Sequence, residues 1–85
     1  FAVAALNKLG QFDLDRNDFA QAEPELKSAV ERARKLKNKD NILLLSLRSY
    51  ADLLQLTDRV AQGDALDKEA DRLEERIPRD EQWRP

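Results

Sequence analysis

Residues 6–29 read Leu-Asn-Lys-Leu-Gly-Gln-Phe-Asp-Leu-Asp-Arg-Asn-Asp-Phe-Ala-Gln-Ala-Glu-Pro-Glu-Leu-Lys-Ser-Ala, and their pattern returns over residues 47–70. Leu6, Leu9, Gly10, Phe19, Ala22, Glu23 and Ala29 recur as Leu47, Tyr50, Ala51, Val60, Gly63, Asp64 and Ala70, always 41 positions on (47 minus 6, 70 minus 29). A fixed period of this length, with small residues where helices must touch and large ones between them, is the mark of a helical solenoid. The expected fold is therefore all-α, an α-solenoid of two antiparallel helix hairpins. Such a fold points to a scaffold and not to a catalyst.

Working outward from the repeat, periodicity and punctuation predict four helices. The first, about residues 3–14, sets Ala5, Leu6, Leu9, Phe12 and Asp13 along successive turns and leaves Asn7, Lys8 and Gln11 on other faces. Asp15, Asn17 and Asp18 interrupt it, and Asp18 is placed to cap a second helix. Along that helix Phe19, Ala22, Leu26, Ala29, Val30, Ala33 and Leu36 fall at spacings of three and four, a buried stripe that predicts an end near Lys37. Glu23 and Glu25 near its start and Arg32, Arg34, Lys35, Lys37 and Lys39 near its end complement the helix dipole. Pro24 lies close enough to the start that its missing N–H costs less than the ~3 kcal/mol of a true helix interior.

The third helix, about residues 40–57, is apolar nearly all round at its start, where Ile42, Leu43, Leu44, Leu45 and Leu47 exceed one face and predict cover on two sides. The fourth, about residues 60–77, carries Val60, Gly63, Leu66, Ala70, Leu73 and Ile77 and stops before Pro78, which disfavours helical geometry in the residue ahead of it. The chain thus divides into repeats of about residues 1–38 and 42–77 and a polar tail, residues 78–85. Trp83, the single tryptophan, sits in that tail; of two expectations, folding back onto the exposed end of the stack or docking in another chain, docking is preferred.

Composition narrows the function classes. Charged residues make up 38% of the 85-residue chain, but the two signs interleave to a net charge of −2, too weak a field to argue for nucleic acid or an anionic membrane. The longest apolar run, residues 42–45, is far below the roughly 20 residues of a membrane span. With no cysteine and no histidine the chain lacks disulfides, thiolates and the commonest acid/base group and metal ligand. Starting at Phe1, it reads as a piece of a longer, soluble protein.

These residues are similar to two tandem tetratricopeptide repeats, most closely the longer kinesin-light-chain-like variety. Leu6, Leu9-Gly10, Asn17, Phe19, Ala22-Glu23-Pro24, Leu26 and Ala29 carry the resemblance in the first unit. Leu47, Tyr50-Ala51, Leu54, Val60 and Ala70 carry it in the second, and the match covers about residues 3–77. Asp13 departs from it, standing where the family usually has an aromatic, and Gly63 occupies a small site usually held by Ala. The resemblance implies a right-handed stack of helix pairs whose first helices line a concave groove for a peptide or partner helix. The residues it places on that groove are Asn7, Gln11, Arg48, Asp52 and Gln55. The family's lysine-based clamp for C-terminal carboxylates is not reproduced, because Arg48 is the only cation on that face.

Other motifs lead elsewhere. Residues 13–18 begin like a calcium loop, but the sixth and twelfth places, which need Gly and a bidentate Glu, hold Asp18 and Pro24. A turn with a helix cap explains them. Carboxylate pairs such as Glu74 and Glu75 fall in wet, charged segments where no burial would tune them for catalysis. The basic run from Arg32 to Lys39 lacks the aromatics of a nucleic-acid face. No catalytic, cofactor or metal site is expected.

The leading expectation is a protein–protein interaction module, with a self-associating structural unit or the regulatory domain of an attached enzyme as alternatives. Solenoid arrays usually need about three repeats and end in polar caps. This chain has two and no convincing polar cap: its last helix is charged but keeps Val60, Leu66, Leu73 and Ile77, which one partner helix cannot all cover. Residual apolar surface is therefore expected at one or both ends, to be buried by another chain, a second copy included, by the Trp83 tail or by parent sequence.

Overall fold

In the computed structural model, which describes residues 2–37 and 39–77, every regular element is a helix. They are α1 (Val3–Asp15), α2 (Phe19–Arg34), α3 (Asp40–Leu56) and α4 (Val60–Arg76). Trp83 and the rest of the tail lie outside the described residues. Among the described residues no helix is long and apolar enough to cross a membrane.

Small residues decide how the helices meet. Gly10 on α1 faces Leu26 on α2 so closely that any Cβ there would overlap the leucine side chain. Ala22, Ala29, Ala51 and Ala70 are completely buried, which lets neighbouring backbones approach. Val3 and Leu6 pack on Ala29 and Ala33, while Leu14 packs on Ala22 and Leu26, so α1 and α2 run antiparallel. In the second hairpin Leu47 packs on Ala70 and Leu73, and Gly63 lies against Ala51 and Gln55, which fixes α3 and α4 antiparallel as well.

The hairpins join through α2 and α3. Leu26 and Ala22 meet Leu53 and Leu54, Val30 meets Leu47, and Ile42 and Leu43 cover Ala29 and Ala33. Leu43 and Leu44 also reach the cluster of α4, so the apolar start of α3 is covered on two sides. Only Leu45 in this run turns outward, 56% exposed. The pairing of Asn7 with Ser46, and of the region around Gln11 and Leu14 with that around Asp52 and Gln55, sets α1 and α3 side by side and parallel.

The period seen in the sequence is also a period of the backbone. Asn17 and Asp58, 41 residues apart, both take the left-handed conformation, φ 60° and 63°. The next residue in each turn reaches back to close the helix: Asp18 N–H donates to the Asp13 carbonyl and Arg59 N–H to the Leu54 carbonyl, both at 2.8 Å. This six-to-one bond satisfies a carbonyl that the helix end would otherwise orphan. Each following helix opens alike, with Ala22 N–H on the Asp18 carbonyl and Gly63 N–H on the Arg59 carbonyl, both at 3.0 Å. Asp18 caps α2 through its side chain, accepting from Gln21 N–H at 3.4 Å. Residues 13–18 are therefore the end of α1, a turn and a cap.

Three expectations are corrected. The buried face of α1 is Val3, Leu6, Asn7, Gly10 and Leu14, and Leu9 and Phe12 turn outward, 42% and 58% exposed. The contact of Gly10 with Leu26 sets the rotation of the helix, and at 3.6 residues per turn Leu9 and Phe12 then point away. α2 ends at Arg34, short of Lys37, because Lys35 and Leu36 bond back only three residues, to Arg32 and Ala33, which tightens the last turn. Leu36 lies past this end and is exposed, and Val60, in the first turn of α4, is exposed too.

Candidate functional site

Where α1 and α3 lie side by side, they leave a cleft of about 370 Å³ lined by Gln11, Leu14, Asp15, Asp52, Gln55 and Leu56. Gln11 and Asp15 are one turn apart on α1, and Asp52 and Leu56 one turn apart on α3, so helical geometry alone brings each pair to the same edge. Gln11 Nε2 donates to Asp15 Oδ1 at 3.0 Å, which fixes the orientation of both along one wall. Leu56 supplies an exposed apolar surface at the far end. Partial desolvation at the cleft pushes the Asp52 carboxyl above its ordinary range, the charge of Asp67 adds to the shift, and Arg48 opposes it.

Of the five residues expected on a groove, three meet here: Gln11, Asp52 and Gln55. Gln55 is shared with α4, since its Nε2 donates to Asp67 Oδ2 at 2.9 Å and to Asp64 Oδ1 at 3.4 Å. Asn7 is not a groove residue. It is 4% exposed, and its Nδ2 donates to Ser46 Oγ at 2.9 Å, while Ser46 in turn donates to the Ile42 carbonyl. It is a polar staple between α1 and α3, placed there because it shares the inward side of α1 with Leu6 and Gly10.

Arg48 is also corrected. Its guanidinium turns toward α4 and pairs with Asp71 at 2.9 Å, Asp67 at 3.4 Å and Glu74 at 3.5 Å. The bond to Asp71 and these surrounding carboxylates raise its pKa further. Sequence reasoning missed Leu14, Asp15 and Leu56 as wall residues, although Asp15 and Leu56 each stand four residues after an expected one. As a result the cleft holds two carboxylates and two amides between apolar side chains, with no cation among the described residues of its walls.

Among the described residues no group of His, Cys, Asp or Glu side chains has a metal-holding arrangement. A second cleft of about 400 Å³ at the other end of the second hairpin mixes Glu69 with Arg72 and Arg76 over Leu43 and Leu73. Its Glu69 is engaged by the Arg34 guanidinium, so that site is already charge-compensated. No protein-family model, curated protein or solved structure matches this chain.

Proposed function

We propose that the chain is a protein–protein interaction module of the tetratricopeptide-repeat type, an α-solenoid segment that binds an extended peptide or a partner helix along the groove between α1 and α3. The observation that carries this reading is the parallel placement of α1 and α3 around the cleft of Gln11, Asp52 and Gln55. The 41-residue recurrence of the two left-handed turns supports a repeat in place of an ordinary four-helix bundle. Asp15 and Asp52 suit a segment with Lys or Arg, the amides of Gln11 and Gln55 suit its backbone, and Leu56 suits a neighbouring aliphatic side chain. The reading assigns the chain no reaction.

Panning a phage-displayed library of random peptides on the protein tests it. The expected result is enrichment of peptides that carry a basic residue beside an aliphatic one. Asp15→Lys with Asp52→Lys, both on exposed positions, should weaken the selected peptides by roughly tenfold or more, since about 1.4 kcal/mol of lost contact is tenfold in affinity. Failure to enrich any peptide, or capture indifferent to this charge reversal in a variant with unchanged helicity, would count against the groove.

A further inference from the structure

We infer that the outer face of the first hairpin, centred on Leu9 and Phe12, is a stacking surface for one more helical hairpin of the α1–α2 kind, and that the opposite end of the chain is closed by α4. The inference rests on the repeat in the reading above, not on groove binding. The chain carries its own template for what covers this face. Forty-one residues after Phe12 stands Leu53, and forty-one after Leu9 stands Tyr50. Phe12 is 58% exposed while Leu53 is wholly buried, and Tyr50 is half-buried between two core clusters. The same shift turns Ala5, still partly exposed, into the fully buried Ser46.

What buries those positions in the second hairpin is a row of small and aliphatic side chains on the first: Leu14, Ala22, Leu26, Val30 and Ala33. An occupant of the Leu9 and Phe12 face must present such a row. The second hairpin cannot supply it, because its corresponding residues are Gln55, Gly63, Asp67, Asp71 and Glu74, and Arg48 stands where the first hairpin has Asn7. In place of an apolar face, Arg48 ties Asp67, Asp71 and Glu74 into a charged network over α4. The expected absence of a polar cap is thereby corrected: α4 presents charge where α2 presents its joining stripe. Two copies of this chain therefore cannot stack head to tail, and the array grows from the α1 side only.

The test joins a second copy of residues 1–41, one full period, either ahead of Phe1 or after Pro85 of the full chain. Ahead of Phe1, the added hairpin should bring extra helix by circular dichroism, a single melting transition and a midpoint higher by about 5 °C or more. After Pro85, the same block should leave the midpoint of the original chain unchanged. Phe12→Asp should shift the original chain by less than about 2 °C, yet cancel the gain in the fusion with the block ahead. Equal gains from both fusions, no gain from either, or a dimer of the original chain that Phe12→Asp dissociates would each overturn the inference. The last would make a second copy the occupant. Peptide capture is not read in these melts, so their failure leaves the groove reading standing.

Discussion

Asp13 and Glu25 face one another across the first hairpin, one carboxyl on each helix. One oxygen of Glu25 is buried without a hydrogen-bond partner. Desolvation, then the hydrogen bond and charge of Asp13, and the charge of Asp18 push the Glu25 carboxyl up to about 7. A carboxyl raised in the folded state favours folding while protonated, so its contribution is complete below its ordinary 4.5 and disappears as pH rises through about 7. Glu25→Gln should therefore match the parent chain in acid and exceed its stability at pH above 7. Denaturant melts of both proteins across this range check it, and a difference independent of pH would contradict the assignment. Asp13 was visible in the sequence as a departure from an aromatic site, but not its consequence, since Glu25 reads there only as an acid near a helix start. Asn7 and Arg48 were misplaced for a related reason. The position of a polar side chain depends on partners far along the chain, here Ser46, 39 residues away, and the carboxylates of α4.

At the scale of elements the two left-handed turns are the most exacting feature. Neither Asn17 nor Asp58 is glycine, yet both hold a backbone that L-residues adopt at a penalty of roughly 1–2 kcal/mol, somewhat less for Asn and Asp. Asp58→Gly should raise stability by up to about 1 kcal/mol, and Asp58→Val should lower it by about 1–2 kcal/mol. Urea unfolding of the pair measures this, and a valine variant as stable as the glycine one would show that the turn is not held as described. The helices themselves were largely legible. Close contacts between helices demand Gly or Ala at fixed intervals, and Asn17, Asp18 and Asp58 mark the turns inside the hairpins, while Pro24 is carried within α2. The side on which α1 is buried was not, because Leu9 and Phe12 are as apolar as Val3 and Leu6, and only the contact of Gly10 with Leu26 distinguishes the faces.

At the scale of the whole molecule, ion pairs of Arg59 with Glu23 and of Arg34 with Glu69 bridge the hairpins beside the apolar joint. Arg59 grips Glu23 through both terminal guanidinium nitrogens, Nη1 donating to Oε2 and Nη2 to Oε1, and Arg34 holds Glu69 through the same two pairs of atoms. The bond from Arg59 draws the Glu23 carboxyl below its ordinary range. The pair accordingly favours folding above the usual carboxylate pKa and ceases to do so as acid protonates Glu23. A double-mutant cycle of Glu23→Gln and Arg59→Gln should give a favourable coupling at neutral pH. It should shrink in about 1 M salt, where screening shortens the range of charge to roughly 3 Å. Coupling wholly insensitive to salt would mean the side chains act by packing instead. The repeat made this joint legible, since the same small residues appear on both sides of it. Whether an end has a neighbour is not written in a period, which is why the exposure of Phe12 and the charged finish of α4 emerged only in three dimensions. The parallel pairing of α1 with α3 also bears on how the chain reaches its native state. Each hairpin brings together residues close in sequence, and the polar staple from Asn7 to Ser46 is separated by scarcely one period, so no large loop must close before contacts repay it. Folding should be rapid and able to start in either half. The half formed first then acts as the template on which the other is laid down.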